Sequence, residues 1–167
     1  MHLKDEVRTF QNPEEDRVES RPQNLAGDAS VLLLSTPSDA KLRHPSASQV
    51  SKLWQVFLKN VNPLCKLIHV PTMEKEIFRA GADPGNISKS MEALMFTIYL
   101  AAVNSIVSDE ECQRMFGEPR DALMAKYLDG SRQSLMNANL LRSSELMVLQ
   151  AFELFLVSMP RYNSAIV

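Results

Sequence analysis

The side chains of this sequence that could do chemistry are few, and they do not cluster. His69, which stands before Val-Pro-Thr, is one of three histidines and has no group of cysteines or aspartates near it. A general base or a metal ligand needs partners at a fixed spacing, so a hydrogen bond at a turn is the expected role of His69. His44, before Pro45, is expected at the start of a helix.

The two cysteines do not form a motif. Cys65 and Cys112 lie 47 positions apart, which matches neither a CxxC metal site nor a disulfide framework. A thiol at a helix start can become reactive, so Cys112 is open to that interpretation. A buried or half-buried structural role is favoured for both cysteines.

The remaining polar candidates have simpler explanations than catalysis. The acidic run Asp109–Glu111 is open to interpretation as a divalent-cation site or an acid pair, but the helix macrodipole alone favours acidic residues in a first turn. Ser131 and Ser134 lack the GxSxG context of a serine hydrolase. We therefore predict no catalytic residue, no cofactor-binding residue and no metal ligand, and a protein that is not an enzyme.

Length and composition indicate one globular domain. The chain has 167 residues, of which 45% are hydrophobic and 23% charged. The net charge of −2 provides no basic surface to attract nucleic acid directly. No secretory signal is recognisable at the N-terminus, and no apolar stretch reaches the roughly 20 residues that a membrane-spanning helix needs.

Two regions are predicted, a tail and linker over residues 1–43 and a helical domain over residues 44–167. Residues 1–24 are polar and dense in charge, which predicts a disordered tail. The apolar run Val31–Leu34 fits a strand fragment or an extended segment docked on the core. Residues 35–45 have the composition of a linker.

Caps, prolines and apolar stripes divide the helical domain into about six helices. Capping boxes are predicted at Ser46–Gln49 and Ser108–Glu111, whereas Thr72 and Ser143 or Ser144 are expected to cap two further helices. Leu64–Val70 is expected to be an extended, buried connection. The predicted helices cover about 46–62, 72–80, 88–107, 108–116, 119–138 (with Gly130 inside it) and 144–157.

This pattern predicts an all-α fold, a multi-helix domain of bundle-like or orthogonal packing. The 88–107 helix should be central. The last helix is apolar almost all round and therefore needs partners beyond it, so either the fold is a truncated half or an exposed face meets another chain. The residues expected in the core are Trp54, Phe57, Leu94, Ile98, Tyr99, Leu149 and Phe152.

A series of short motifs runs in order from His44 to about Asn163. They are HPS (44–46), LWQ with Phe57, Asn60, Val61 and Pro63, HVPT (69–72), EALMF with IY and AAV (92–103), SDEEC (108–112), FGE with Arg120 and KY (116–127), and VLQAF with LFL (148–156). No single motif is specific, but the order of the matches is. It resembles the middle homology region of fungal Zn2Cys6 (binuclear zinc cluster) transcription factors.

The resemblance implies a helical regulatory domain that tunes activity and joins dimer partners, in a nuclear protein. Many relatives of this kind regulate secondary-metabolite or catabolic gene clusters. The zinc cluster of the family needs six cysteines, whereas residues 1–43 contain none. No cofactor is therefore expected in this chain, with zinc and direct DNA contact left to a missing segment. The family domain usually continues past the segment Arg161–Ser164, so we expect this region to be truncated.

Two hypotheses for function follow. The leading one is a regulator, or truncated regulator, that pairs with or masks a zinc-cluster protein, forming a homodimer or heterodimer by burying the apolar faces of the 91–107 and 144–157 helices. The rival is a helical domain that senses a small molecule, for which the methionines at 91, 95, 115, 124, 136 and 147 are candidate groove residues. A fragment without independent function is the third alternative.

Overall fold

The computed structural model describes residues 41–159, and over this range the protein is all-α. The helices are α1 (Ala47–Val56), α2 (Val70–Ala82), α3 (Lys89–Asn104), α4 (Asp109–Phe116), α5 (Arg120–Asn137) and α6 (Leu146–Ser158). A π-helical turn (Phe57–Val61) follows α1 and a 3-10 turn (Pro84–Asn86) follows α2. The predicted all-α fold of about six helices is confirmed. The predictions for the tail and for Val31–Leu34 lie outside the described residues.

Helix α3 is the centre of the fold, as predicted. Its core-facing residues include Leu94, Ile98 and Tyr99, and it packs against α5, α6 and α1. The Ser88 hydroxyl accepts a hydrogen bond from the Met91 N–H and so caps the helix. The helix ends at Asn104 rather than at the predicted 107, and Val107 is 96% exposed in the loop that follows.

Gly130 lies inside α5 because the Phe96 ring of α3 crosses the helix at that position. A Cβ atom at residue 130 would lie 2.4 Å from Cδ1 of Phe96, well inside van der Waals contact. The glycine lowers helix propensity but lets α5 and the aromatic face of α3 approach closely. The helix therefore continues through the residue that weakens its prediction from sequence.

The first helix begins as predicted and ends in an unexpected way. The Ser46 hydroxyl accepts from the Gln49 N–H, and the Gln49 side chain accepts from the Ser46 N–H, which completes the capping box. After Val56 the backbone widens into the π-helical turn, where the Asn62 N–H donates to the Phe57 carbonyl at 2.9 Å. Trp54 and Phe57 are buried and stack with ring centroids 5.5 Å apart.

The predicted N-cap of α2 is wrong by three residues. The N-cap is His69 rather than Thr72, and the Met73 N–H already donates to the His69 carbonyl at 3.0 Å. Pro71 is tolerated in the first turn because its missing N–H would have no helical partner there. The connection Leu64–Val70 is consequently shorter than expected, and it is mostly not buried, since Leu64 is 89% exposed and only Ile68 is fully in the core, with Leu67 and Val70 partly buried against it.

Two other caps differ from their predictions. The N-cap position of α6 is Glu145, not Ser143 or Ser144, and its side chain makes no capping hydrogen bond, although the Ser143 hydroxyl accepts from the Glu145 N–H at 3.2 Å. At α4 the Ser108 hydroxyl accepts from the Glu111 N–H as expected, but it donates to the Glu110 carboxylate. The reciprocal half of the predicted capping box is therefore not formed.

Arg120, at the start of α5, is hydrogen-bonded to the end of α3 and to the start of α4. The Arg120 guanidinium donates to the Ile106 carbonyl at 2.7 Å and to the Asn104 carbonyl at 3.2 Å. The Asp109 carboxylate accepts from the Arg120 N–H at 2.7 Å. These bonds satisfy carbonyl groups that the end of a helix leaves without partners. In the described part of the chain, no helix is long and apolar enough to span a membrane.

A candidate protein-contact surface

Helix α6 has one covered and one uncovered apolar side. Val148, Ala151, Leu154 and Phe155 are buried, and the helix packs against α3 and α5. The opposite side exposes Leu146 at 70%, Leu149 at 48%, Leu156 at 48% and Val157 at 51%. We call these four residues, together with Glu153 between them, the α6 surface. The placement of Leu149 in the core is therefore wrong, and Phe152 is only partly buried.

The residues of the α6 surface follow a helix-pairing pattern. Leu146, Leu149, Glu153 and Leu156 are separated by three, four and three positions, which is the a-d-a-d spacing of a heptad. Such spacing places the side chains in one straight seam along the helix. Within residues 41–159, no helix packs on this seam.

Glu153 is exposed at the centre of the seam. Among residues 41–159, no lysine, arginine or histidine forms an ion pair with its carboxylate. One negative charge therefore stands between leucines on an otherwise apolar stripe. From the sequence alone, Glu153 is an interruption of the apolar stretch Leu146–Met159, and its heptad spacing to the neighbouring leucines is the signal that could have placed it on this surface.

The turn before α2 borders this surface. The Gln150 side chain donates to the Leu67 carbonyl at 2.5 Å, which ties the turn to α6. Burial raises the pKa of the Cys65 thiol, and the negative charge of Glu153 raises that pKa further. Cys65 thus marks the edge of the α6 surface, on the same turn as the exposed Leu64.

The other helix proposed for partner contact is not available. Every residue of α3 from Ala93 to Val103 is buried against the protein's own helices, so the apolar stripe of the predicted 91–107 helix is already covered. The driving force for association expected from that helix is already used in the core. Only α6 keeps the exposed apolar side that the sequence led us to expect.

A separate site, a concave groove, lies beside the start of α3. This groove has a volume of about 620 Å³ and is bordered by α2, the 3-10 turn, α3 and Met147 of α6. Its apolar lining includes Met73, Met91 and Met147, so two of the six methionines named as groove candidates, 91 and 147, do line it. The other lining residues are Thr72, Glu76, Arg79, Ala80, Asp83, Asn86, Ile87 and Ser88.

The histidines have structural surroundings. Nδ1 of His69 lies 2.9 Å from the Thr72 hydroxyl, which is the turn hydrogen bond predicted for it. The His44 ring is almost fully buried, with Nε2 3.2 Å from the Glu92 carboxylate and the ring 4.8 Å from that of Phe96. His44 therefore fixes the start of the domain to α3, a contact that sequence reasoning missed.

The remaining candidates for chemistry are dispersed. Cys112 is fully buried, and burial raises the pKa of its thiol, which opposes the reactive interpretation. The Ser131 and Ser134 hydroxyls are buried and donate to carbonyls of their own helix. The Ser108 hydroxyl lowers the pKa of Glu110 at the start of α4. No group of three or more possible metal ligands occurs within the described range.

Comparisons with known proteins place this helical region among fungal transcription factors. The aurofusarin cluster transcription factor aurR2 of Gibberella zeae is 39% identical over 149 residues, which is 89% of this chain and 22% of that protein. The transcriptional regulator AacuB of Aspergillus aculeatus is 44% identical over 115 residues, 69% of this chain and 16% of the relative. No family model matches the chain. No solved structure matches it either.

Two further relatives extend the comparison. The pyriculol/pyriculariol biosynthesis cluster transcription factor 1 of Pyricularia oryzae is 41% identical over 71% of the chain. The C6 finger domain transcription factor hasF of Aspergillus fumigatus is 28% identical over 70% of it. The chain spans only 16% and 18% of the lengths of these two proteins. All four comparisons therefore match the chain to a segment of a much longer regulator.

Proposed function

Because this chain belongs, as a homologous segment, to the family of fungal cluster transcription factors, we propose that it acts in transcription regulation by binding another protein through the α6 surface. The partner is another regulator chain, which the segment pairs with or masks. The site of action is the nucleus, and the genes controlled form a biosynthetic cluster. The relatives named for aurofusarin and pyriculol clusters support the kind of target.

The observation that carries the proposal is the uncovered apolar side of α6. Burial of apolar surface contributes about 25 cal/mol per Å², so four exposed aliphatic side chains on one helix favour association. Large contiguous apolar patches on a soluble domain mark interaction sites. Protein binding is also the activity that remains to a regulator segment without a charge pattern for nucleic acid.

Zinc binding and direct DNA reading are not part of the proposal. The two cysteines of this chain cannot supply the six thiolates of a binuclear cluster, and they stand in separate surroundings, Cys65 at the edge of α6 and Cys112 in the core. The proposal also includes no reaction. The described residues bring no nucleophile, base and oxyanion donors together, and the relatives are named for transcription.

The test replaces the gene with surface variants in its own organism and measures the transcripts of the cluster. Leu149→Glu/Leu156→Glu places two charges on the α6 surface, and Leu141→Glu places one on another exposed leucine as the matched control. We expect the double variant to change cluster transcripts as a deletion does, while the control behaves as wild type. A deletion that alters no transcript would rule out a role in transcription regulation.

A second candidate function, the sensing of a small molecule, is favoured by the methionine-lined groove. Its volume of about 620 Å³ lies in the range of ligand pockets, and methionine adapts to varied apolar ligands. Ala80→Phe would fill the groove from α2. A compound that raises the melting temperature of the wild type but not of Ala80→Phe would place a ligand there.

A further inference from the structure

We propose that the α6 surface takes one amphipathic helix of a partner chain, and that this helix carries a lysine or arginine opposite Glu153. This inference rests on the proposed function, in which the α6 surface is the contact site. It adds the secondary structure and the charge of the occupant. Both follow from the spacing of the exposed residues and from the Glu153 carboxylate among them, which has no ion-pair partner within residues 41–159.

The spacing selects a helix as the occupant. Leu146, Leu149, Glu153 and Leu156 occupy successive a and d positions, and side chains in such a seam insert between those of a facing helix. Val157 lies beside Leu156 and widens the seam at its end. A strand would need an unpaired backbone edge to bind, whereas a helix satisfies its own backbone and offers only side chains.

The charge selects the sequence of that helix. A partner that covers the leucines also covers Glu153, which occupies an a position between them. Removing a carboxylate from water is unfavourable, and the penalty falls when a cation faces it. A single polar residue at an a position is the feature by which paired helices choose register and partner.

The same carboxylate argues against self-pairing of the α6 surface. In a parallel symmetric pair the two Glu153 carboxylates would face each other across the seam. In an antiparallel pair centred on the seam, each Glu153 would instead face Leu149 of the other copy and would be buried with no cation opposite it. Facing like charges oppose the parallel pair, and a buried carboxylate without a cation opposes the antiparallel pair. A different chain with a basic residue therefore fits better than a second copy.

The test uses the full chain and two synthetic three-heptad peptides. The peptides share a leucine seam and differ only at the central a position, which is lysine in one and glutamate in the other. Alkylation of Cys65 with iodoacetamide reports binding, because this thiol borders the α6 surface and is partly exposed. Cys112 is fully buried and serves as the internal control for an intact fold.

We expect the lysine peptide to protect Cys65 at a concentration at least about tenfold lower than the glutamate peptide does. The charge swap Glu153→Lys should reverse this preference, and Leu149→Glu/Leu156→Glu should abolish protection by both peptides. Each variant is compared with its own rate in the absence of peptide, because substitution of Glu153 also changes the reactivity of Cys65.

Three results would overturn the inference. The first is equal binding of the two peptides with no reversal of preference in Glu153→Lys, and the second is no protection of Cys65 by either peptide. The third is a Cys65 that is already protected in the free chain and becomes reactive in Leu149→Glu/Leu156→Glu. The last result would mean that the chain covers its own α6 surface. Failure here leaves the transcript response to gene deletion intact, so the two proposals fail separately.

Discussion

Helices α3 and α6 are both apolar nearly all round, yet they differ in how much of their surface the fold buries. Twelve of the sixteen residues of α3 are buried, whereas only five of the thirteen of α6 are. Helix α3 lies between α1, α5 and α6, while α6 packs on α3 and α5 with its other side uncovered. The comparison teaches that a helix apolar on all sides predicts burial of those sides, but does not predict whether residues of the same chain or of another chain bury them.

The largest expected effect breaks the comparison on the α3 side. Leu94→Ala should lower the free energy of unfolding by about 2–5 kcal/mol, because the side chain is fully buried in the centre of the core. Urea denaturation followed by tryptophan fluorescence measures it, since Trp54 is the one tryptophan of the chain. A cost near zero would mean that α3 is not the central helix.

A somewhat smaller effect tests how α5 covers α3. Gly130→Ala should destabilise the protein by about 1–3 kcal/mol through overpacking against Phe96, even though alanine favours a helix. In a Phe96→Leu background the added methyl group has more room, so the cost of Gly130→Ala should shrink. Equal costs in both backgrounds, measured by urea denaturation, would contradict the proposed contact.

On the α6 side the expected change in stability is small. Leu149→Ala should alter the free energy of unfolding by less than about 1 kcal/mol, because the side chain is already half in water. The same urea titration compares it directly with Leu94→Ala, which removes the same atoms. Similar losses from the two substitutions would erase the difference between the helices.

The smallest effect sharpens the comparison at the edge of the α6 surface. Glu153 raises the pKa of Cys65, so Glu153→Gln should lower that pKa and increase the thiolate fraction wherever the pH lies below it. Alkylation of Cys65 should therefore speed up a few-fold at neutral pH, and the two proteins should converge at a pH above both pKa values. An unchanged rate at neutral pH would place Glu153 away from the thiol.

Local signals in the sequence were sufficient for most of the helices. The serines at positions 46, 88 and 108 cap helices because a hydroxyl before an apolar stripe satisfies free N–H groups, and Gly117 ends α4 in a left-handed conformation with a φ of 77°. The π-helical turn, the start of α2 and the cap of α6 were not predictable in this way. They depend on how neighbouring helices pack.

The candidate surface was half visible in the sequence. The apolar last helix predicted that other residues must bury its sides. Whether Leu149 lies in the core could not be predicted, because it depends on which side of the helix packs against α3. The prediction that the 91–107 helix also offers an apolar face to a partner failed for the same reason, because the exposure of a side chain depends on the assembled fold. Glu153 became meaningful only when its leucine neighbours proved to be exposed.

The hydrogen bonds of Arg120 to the end of α3 have a consequence for limited proteolysis of the loop that follows. Val107 is the most exposed large hydrophobic residue in the described range and follows the two residues, Asn104 and Ile106, whose carbonyls Arg120 binds. An elastase cut after Val107 severs the backbone but leaves those hydrogen bonds and the packing of α5 and α6 on α3 in place. The nicked protein should elute as one species under native conditions, and its two fragments should separate only in denaturant.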